Sequence, residues 1–582
     1  MSVEDDNKEI INVNDKSIGS RKFHIIVLSI LLVVYLLGYI LPLGLRDMMR
    51  PDEFRYGEIP REMLASGDWT VPLLVGVRYF EKPALGYQWT AFCMQLFGEN
   101  AFAVRLPAAL SVGLAALMIY FICARKQRDR WLAPLAAVIF MSFAIVFGVG
   151  TFAVLDSQLS MALCWCLGSY YLCCEAEKLK SKCFFLLLAG VGAGAAFLFK
   201  GFLAFAVPVV VITPFLIWQK DWKKFLTTPW LPLIAAVAVA LPWSIAVWKA
   251  EPGFWDYFFI EEHIKRFTAS TYDRDPEPFW FFIPILLGGM LPGGLYWLAA
   301  WRGVNKQWLR EPLVRYCICW LWMPFLLFSA ASCKTGTYIL PCFPALAILT
   351  AWAVLNMLKS SRESLAMISS RVYLVLGGVL FAGGLLGAAA LICWRMLLVE
   401  KYPIMDPMDP KPFIGMMLIS VFGVIVLCVR KLDFKRSLLI LLGSFIVFGG
   451  WLAGAFLSKS TNPQKMPEAI IRDIYRQLDV TNDDIIAADR GAATVSAWVL
   501  KRTDIKVIGR LGEFNYGFTK YPQEYAQRYY RMDELPRLLQ ESGNKRVFYA
   551  IIRDEDKRAY PEDWKVRRVV SDRGVTVVEL DK

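Results

Sequence analysis

Charge is scarce in this chain. Only 20% of its 582 residues are Asp, Glu, Lys or Arg, while 57% are hydrophobic, a balance that excludes an ordinary soluble domain of this size. The net charge of +13 does not imply a nucleic-acid partner, because the basic residues fall in short clusters between apolar runs rather than along one face. The polar segment after residue 457 contains no cysteine. That excludes a disulfide framework or a zinc knuckle there, and the segment also lacks a glycine-rich phosphate fingerprint. No internal repeat is evident, which counts against a transporter built from duplicated halves. The first apolar run, near residues 25–45, has no small-residue cleavage site and is too long for a signal-peptide core, so it reads as a retained anchor.

What the sequence has in abundance is apolar runs of about 20 residues, each sufficient to cross a bilayer core of roughly 30 Å as a helix. About thirteen are expected, near 25–45, 105–123, 131–150, 157–175, 183–199, 202–218, 229–249, 279–300, 316–332, 341–358, 372–395, 413–429 and 437–457. Basic clusters such as Arg125/Lys126/Arg128/Arg130, Lys220/Lys223/Lys224 and Arg430/Lys431/Lys435/Arg436 recur at every second boundary and assign those loops to the cytoplasm. An odd number of spans then puts the amino end inside and the carboxyl end outside, in the periplasm of an inner-membrane protein.

Three regions follow: a polar, disordered cytoplasmic tail at 1–24, a membrane domain at 25–457, and a periplasmic α/β domain at 458–582. The last is read from short apolar runs at 485–489, 505–509, 546–552 and 575–580, alternating with helical stretches at 491–501 and 532–541. The fold class is thus an α-helical polytopic membrane protein with a small C-terminal α/β domain.

The same parity exposes 46–104, 150–156, 250–278 and 333–340 on the outer side, where ionisable residues gather. The first loop begins RPDEFRYGEIPREMLASGDW, with Asp52, Glu53, Arg55 and Tyr56 directly after a membrane helix. On its own this is equally a solvated juxtamembrane helix with local ion pairs. Recurrence shifts the balance: Tyr79, Glu81 and Lys82 in RYFEKP, Asp156 in AVLDSQ, Lys200 in FLFKGF, His263 and Arg266 in EEHIKRF, and Lys334 with Tyr338 in KTGTYILP lie at equivalent depth. Charges at membrane depth are costly and mark functional sites, although Lys200 alone would fit a snorkelling lysine. Acids and bases on one face suit an anionic, lipid-linked substrate: Lys and Arg hold its phosphate, and carboxylates accept a proton or steady positive charge on a sugar.

The segments PDEFRYGEIPREMLASGDW and RYFEKPALGYQW resemble the first external loop of the bacterial aminoarabinose transferases of lipid A. These are polyprenyl-phosphate-dependent, protein-mannosyltransferase-like membrane glycosyltransferases. The likeness runs on through VLDSQ, FKGFLAFAVP, EEHIKRF, PFWFFIP and K-x-x-x-YILP, most of the first 345 residues, whereas the later part matches only in layout. The resemblance implies a thirteen-helix fold of the third membrane glycosyltransferase (GT-C) type and transfer of 4-amino-4-deoxy-L-arabinose from undecaprenyl phosphate to lipid A. It implies catalytic acids at Asp52, with Glu53 beside it, and at Asp156. Lys82, Arg266 and Tyr338 would contact the carrier phosphate, and Arg55, Tyr56, Tyr79, Lys200 and Lys334 would complete the substrate contacts. It also implies a structural zinc at Glu81 and His263, although two ligands on separate loops do not make a zinc site by themselves. The reaction itself needs no cofactor, because the donor carries its own phosphate leaving group. Transfer of another sugar such as mannose, to lipopolysaccharide or to protein Ser/Thr, remains an open alternative, and a lipid-linked sugar transporter is the reading from outside the enzyme class.

Overall fold

Inside a bilayer a backbone N–H or C=O finds no water, so crossing segments satisfy themselves as helices. The computed structural model describes all residues except 1–20, 127–128, 266–276, 298–303, 305, 361, 400–407, 458–461, 554–559, 561–563 and 582. Among the described residues nine helices are long and apolar enough to cross a membrane: Arg21–Gly44, Ala101–Ala124, Leu179–Lys200, Trp222–Ala250, Pro312–Ala330, Gly336–Lys359, Ser370–Leu398, Lys411–Val429 and Phe434–Phe456. The other four expected spans are helical at least in part but differ for identifiable reasons. The segment at 131–150 is two helices, Leu132–Ser142 and Ala144–Gly150, bent by 66°. Phe143 between them is extended, and the Ala144 N–H donates to the carbonyl of Leu291. Asp156–Glu175 is a full helix, yet its Ser157, Gln158, Ser160 and Ser169 are buried against other helices rather than facing lipid. Leu203–Gln219 and Phe279–Gly289 are apolar but shorter.

Small residues let these helices approach closely. A Cβ on Gly190 would come within 2.3 Å of the Pro232 carbonyl oxygen, and one on Gly194 within 2.7 Å of that of Ala236. Helix Leu179–Lys200 is thereby pressed against Trp230–Ala250, which fixes Lys200 at the end of its span.

Directly after the first span comes helix α1 (Asp52–Ser66), then a short antiparallel hairpin of β1 (Leu73–Leu74) and β2 (Val77–Arg78). The C-terminal region carries α2 (Glu468–Gln477), β3 (Ile485–Asp489), α3 (Arg490–Leu500), β4 (Lys506–Ile508), β5 (Tyr529–Tyr530), α4 (Leu535–Glu541), β6 (Val547–Ile552), β7 (Val566–Asp572) and β8 (Val575–Leu580). The strands form one sheet in the order β5-β4-β3-β6-β8-β7, parallel among β5, β4, β3 and β6 and antiparallel at β8 and β7. Strands β6 and β8 are buried along their whole length, whereas the edge strand β7 alternates. Asp489 closes β3 and starts α3 by accepting the Ala492 N–H at 2.8 Å, a helix N-cap.

The α/β region rests on the first loop. Trp498 of α3 packs on Gly57 of α1, Arg61 donates to the carbonyl of Arg502, and Lys501 pairs with Glu99 at 2.8 Å. Arg78 reaches Glu524 at 2.6 Å and Glu251 at 3.2 Å, and Tyr516 donates to the same Glu251 at 3.0 Å.

Candidate active site

Helix α1 has two acids at its start, and the structure separates them. Glu53 is wholly buried and accepts from Arg46 at 2.7 and 3.0 Å, from Arg105 at 2.6 and 2.8 Å, and from the backbone N–H groups of Met49 and Ala153. Burial alone would raise this carboxyl, but the guanidiniums of Arg105 and Arg46 outweigh it and hold the group down at about 2. Both oxygens of Glu53 are thus taken up by two guanidiniums and two backbone N–H groups. Asp52, one residue away, keeps 37% of its side chain exposed and pairs with Arg55.

Around Asp52 the ends of several segments converge. Tyr56 has Arg55, Asp52, Asp156 and Glu81 as electrostatic neighbours and stacks on Tyr87 at 5.9 Å. Arg55 has Tyr79, Tyr56, Glu513 and Glu81 around it, with the Glu513 carboxylate at 3.8 Å. Asp156 and Lys200 form a 2.6 Å ion pair with 12% of each side chain exposed. The Lys200 ammonium stands 4.8 Å from the centre of the Tyr338 ring, and the Tyr338 hydroxyl has Lys200, Lys82 and Asp156 as charged neighbours. Lys82 bonds Glu262 at 3.3 Å and the Glu81 carbonyl at 2.6 Å.

Among the described residues three polar groups here are buried without a hydrogen-bond partner: Arg55 Nε and the hydroxyls of Tyr79 and Tyr87. Buried polar atoms are nearly always paired in native proteins, so a cluster of open ones beside a half-exposed acid marks room for a polar ligand. Burial, reinforced by Glu81, pushes the Tyr79 phenol well above its usual range and keeps it a neutral donor.

Of the candidates from sequence, the structure thus brings together Asp52, Arg55, Tyr56, Tyr79, Glu81, Lys82, Asp156, Lys200 and Tyr338. Lys334 is committed elsewhere: it is buried and donates to the carbonyl of Glu277 at 2.6 Å. Arg266 and the side chain of His263 lie outside the described residues. No group of three or more His, Cys, Asp and Glu among the described residues stands ready to hold a metal. Sequence reasoning missed Arg46, Arg105 and Glu513. Arg105, a charge inside an apolar run, carried a usable signal; Glu513, more than 400 positions from Asp52 in the chain, carried none.

Residues 24–258 match the family described as dolichyl-phosphate-mannose-protein mannosyltransferase, and residues 462–577 match the C-terminal domain of arabinosyl transferase ArnT. The undecaprenyl phosphate-alpha-4-amino-4-deoxy-L-arabinose arabinosyl transferase of Erwinia tasmaniensis is 34% identical over 91% of this chain and 94% of its own. That of Aeromonas salmonicida is 35% identical over 90% and 93%. The chain belongs to this arabinosyltransferase family. Crystal structures of ArnT from Cupriavidus metallidurans, one bound to undecaprenyl phosphate and one in the apo state, superpose with TM-scores of 0.75 and 0.74 at 21% and 20% identity. Each covers 96% of this chain and 98% of that one, which confirms the fold. With its apolar helices, this arabinosyltransferase-family chain is a multi-pass membrane protein.

Proposed function

We propose that the protein is a glycosyltransferase of the bacterial inner membrane that moves 4-amino-4-deoxy-L-arabinose from undecaprenyl phosphate to a phosphate of lipid A on the periplasmic side. The observation that carries this reading is the convergence of Lys82, Lys200 and Asp156 on Tyr338, with Asp156 and Asp52 both beside Tyr56, a cluster of cations and acids at the helix ends. The amino end is cytoplasmic and the α/β domain periplasmic, as the basic loops require.

The chemistry then follows from charge. Lys82 and Lys200, with Arg266 as a further candidate, balance the carrier phosphate, and Tyr338 donates a hydrogen bond to it. The acceptor phosphate oxygen attacks the anomeric carbon from the opposite side. The new C–O bond forms as the sugar–phosphate bond breaks, the anomeric centre inverts, and undecaprenyl phosphate departs with the electron pair. A phosphate acceptor is already anionic, so Asp52 serves to orient it and to steady the positive aminosugar. A hydroxyl acceptor would instead require Asp52 to take its proton. Since the leaving group is a stable phosphate, the reaction asks for no cofactor, and zinc at Glu81 and His263 would be structural. Product lipid A gains a positive aminosugar, which weakens attraction of polymyxin and other cationic peptides.

Mass spectrometry of lipid A from cells lacking the protein, complemented with the wild type or with Asp52→Ala at equal membrane levels, tests the reading. A pentosamine increment restored by the wild type alone supports both acceptor and acid. Unchanged lipid A with a hexose missing from secreted proteins would turn the assignment to the protein-mannosyltransferase side of the family likeness.

A further inference from the structure

Open α/β sheets take ligands in the crevice at the carboxyl ends of their parallel strands, where the strand order reverses. In this sheet the chain leaves β3 toward β4 on one side and leaves β6 toward β7 and β8 on the other. The crevice therefore lies between Asp489, which ends β3, and Ile552, which ends β6. It is filled from outside the domain. Arg50, in the first external loop and two positions before Asp52, sends its Nε to the carbonyl of Gln464 at 2.6 Å and its Nη2 to that of Ile552 at 3.4 Å. Its backbone N–H donates to Lys465 at 2.9 Å. Gly491, at the start of α3, makes the space: a Cβ there would stand 2.5 Å from Arg50 Nη1. Asp489 faces this guanidinium, and the charges of Arg50 and Arg553 oppose the upward push that burial gives its carboxyl.

The consequence concerns the first turn of α1. Its preceding residue, Pro51, contributes no side-chain cap, so the direction of the turn depends on what holds the flanking residues. Glu53 ties one side to the membrane helices through Arg105. Arg50 ties the other side to the α/β domain. Asp52 sits between the two anchors.

The geometry points to Arg50 as a positioning residue of the transfer reaction: the α/β domain uses its strand-end crevice to grip this arginine and thereby holds Asp52 in place beside Arg55 and Tyr56. The inference rests on the function proposed above. It gives the C-terminal domain a mechanical part in catalysis without a ligand of its own.

The test uses full-length protein carrying Arg50→Ala, Arg50→Lys or Gly491→Ala. Gly491→Ala meets only the far end of a flexible side chain, so it dislodges Arg50 with little demand on the fold. Three quantities are read: kcat and KM with undecaprenyl-phosphate aminoarabinose and lipid A, binding of undecaprenyl phosphate alone, and hydrogen–deuterium exchange across 46–62. Arg50→Ala and Gly491→Ala should lower kcat about 10²-fold, as expected of a roughly ångström-scale misplacement. KM and carrier binding should hold, exchange in 46–62 should rise, and Arg50→Lys should recover part of the rate. Unchanged kcat in both variants would overturn the proposal, as would loss of carrier binding in step with kcat, the mark of a merely structural role. If the wild type transfers no sugar, the proposed reaction fails instead, and the exchange arm decides: unaltered exchange in 46–62 overturns the grip of Arg50.

Discussion

Glu53 and Arg105 lie 52 positions apart in the chain and meet through two hydrogen bonds, Nε to Oε1 at 2.6 Å and Nη2 to Oε2 at 2.8 Å. The remaining donors of this fully buried guanidinium go to the carbonyls of Leu43, Arg46 and Asp47, so all five of its N–H groups are used. One arginine inside a membrane helix thus seals the turn where the first span ends and α1 begins.

Breaking that seal should unfold the region before it alters chemistry. Glu53→Gln removes a charge from between two buried guanidiniums and should cost about 3–5 kcal/mol, seen as a lower thermal midpoint in detergent. The pH dependence has a definite sign. The folded carboxyl lies at about 2, below its ordinary value of 4.5, so its stabilisation is complete above 4.5 and is lost as pH falls toward 2.

Asp52→Asn should behave in the opposite way. The side chain is partly open and its pairing with Arg55 is local, so the thermal midpoint should hold. Turnover should fall about 10²-fold, the usual cost of removing one aimed electrostatic group. A fall in midpoint equal to that of Glu53→Gln would reverse the roles assigned to the two acids.

Lys82→Gln and Lys334→Gln form a second contrasting pair. Lys82 lies beside Tyr338, and losing a charged hydrogen bond to phosphate costs about 1.5–3 kcal/mol, so undecaprenyl phosphate should bind roughly ten- to a hundredfold more weakly. Lys334 is spent on the Glu277 carbonyl, and its replacement should leave carrier affinity unchanged. Equal losses in a direct binding titration would restore Lys334 to the phosphate site.

The seat of α1 on the α/β domain should weaken in alkali. Glu58 and Glu62 are both buried; Arg61 serves Glu58 at 2.5 and 2.8 Å, while Glu62 accepts the Gly76 N–H and stands within hydrogen-bonding reach of Glu58. Burial, with the neighbouring Glu58 charge, raises the Glu62 carboxyl well above its usual range; the Gly76 N–H and Arg61 oppose this. Because the folded value is raised, this stabilisation is present at low pH and is lost as pH rises through the folded value. Thermal midpoints of the wild type should decline as pH rises through that raised value, and Glu62→Gln should flatten the curve.

Much of the architecture was legible because its causes are local. The spans followed from runs of apolar residues, and β3, β6 and β8 from short blocks such as IIAAD, VFYAII and VTVVEL. Strand β5 has only two residues, and the edge strand β7 carries the charged pair Arg567 and Arg568 near its start, so neither shows a hydrophobic pattern to read. The break at Phe143 was hidden because both halves of the bent segment are equally apolar.

By itself, the sequence determined that the chain is a multi-span membrane protein with a small α/β region, and which loops carry its unusual charges, since hydropathy and charge spacing act within a few residues. Only the tertiary structure decided what those charges do. Asp52 and Glu53 are adjacent carboxylates, yet successive residues on a helix point about 100° apart. One therefore opens toward Arg55 and Tyr56, and the other turns into Arg46 and Arg105. Arg50 and Glu513 acquire their parts from segments that the fold brings beside α1 over hundreds of positions. Contacts of that span depend on how helices and sheet pack as whole bodies, and no local pattern encodes them.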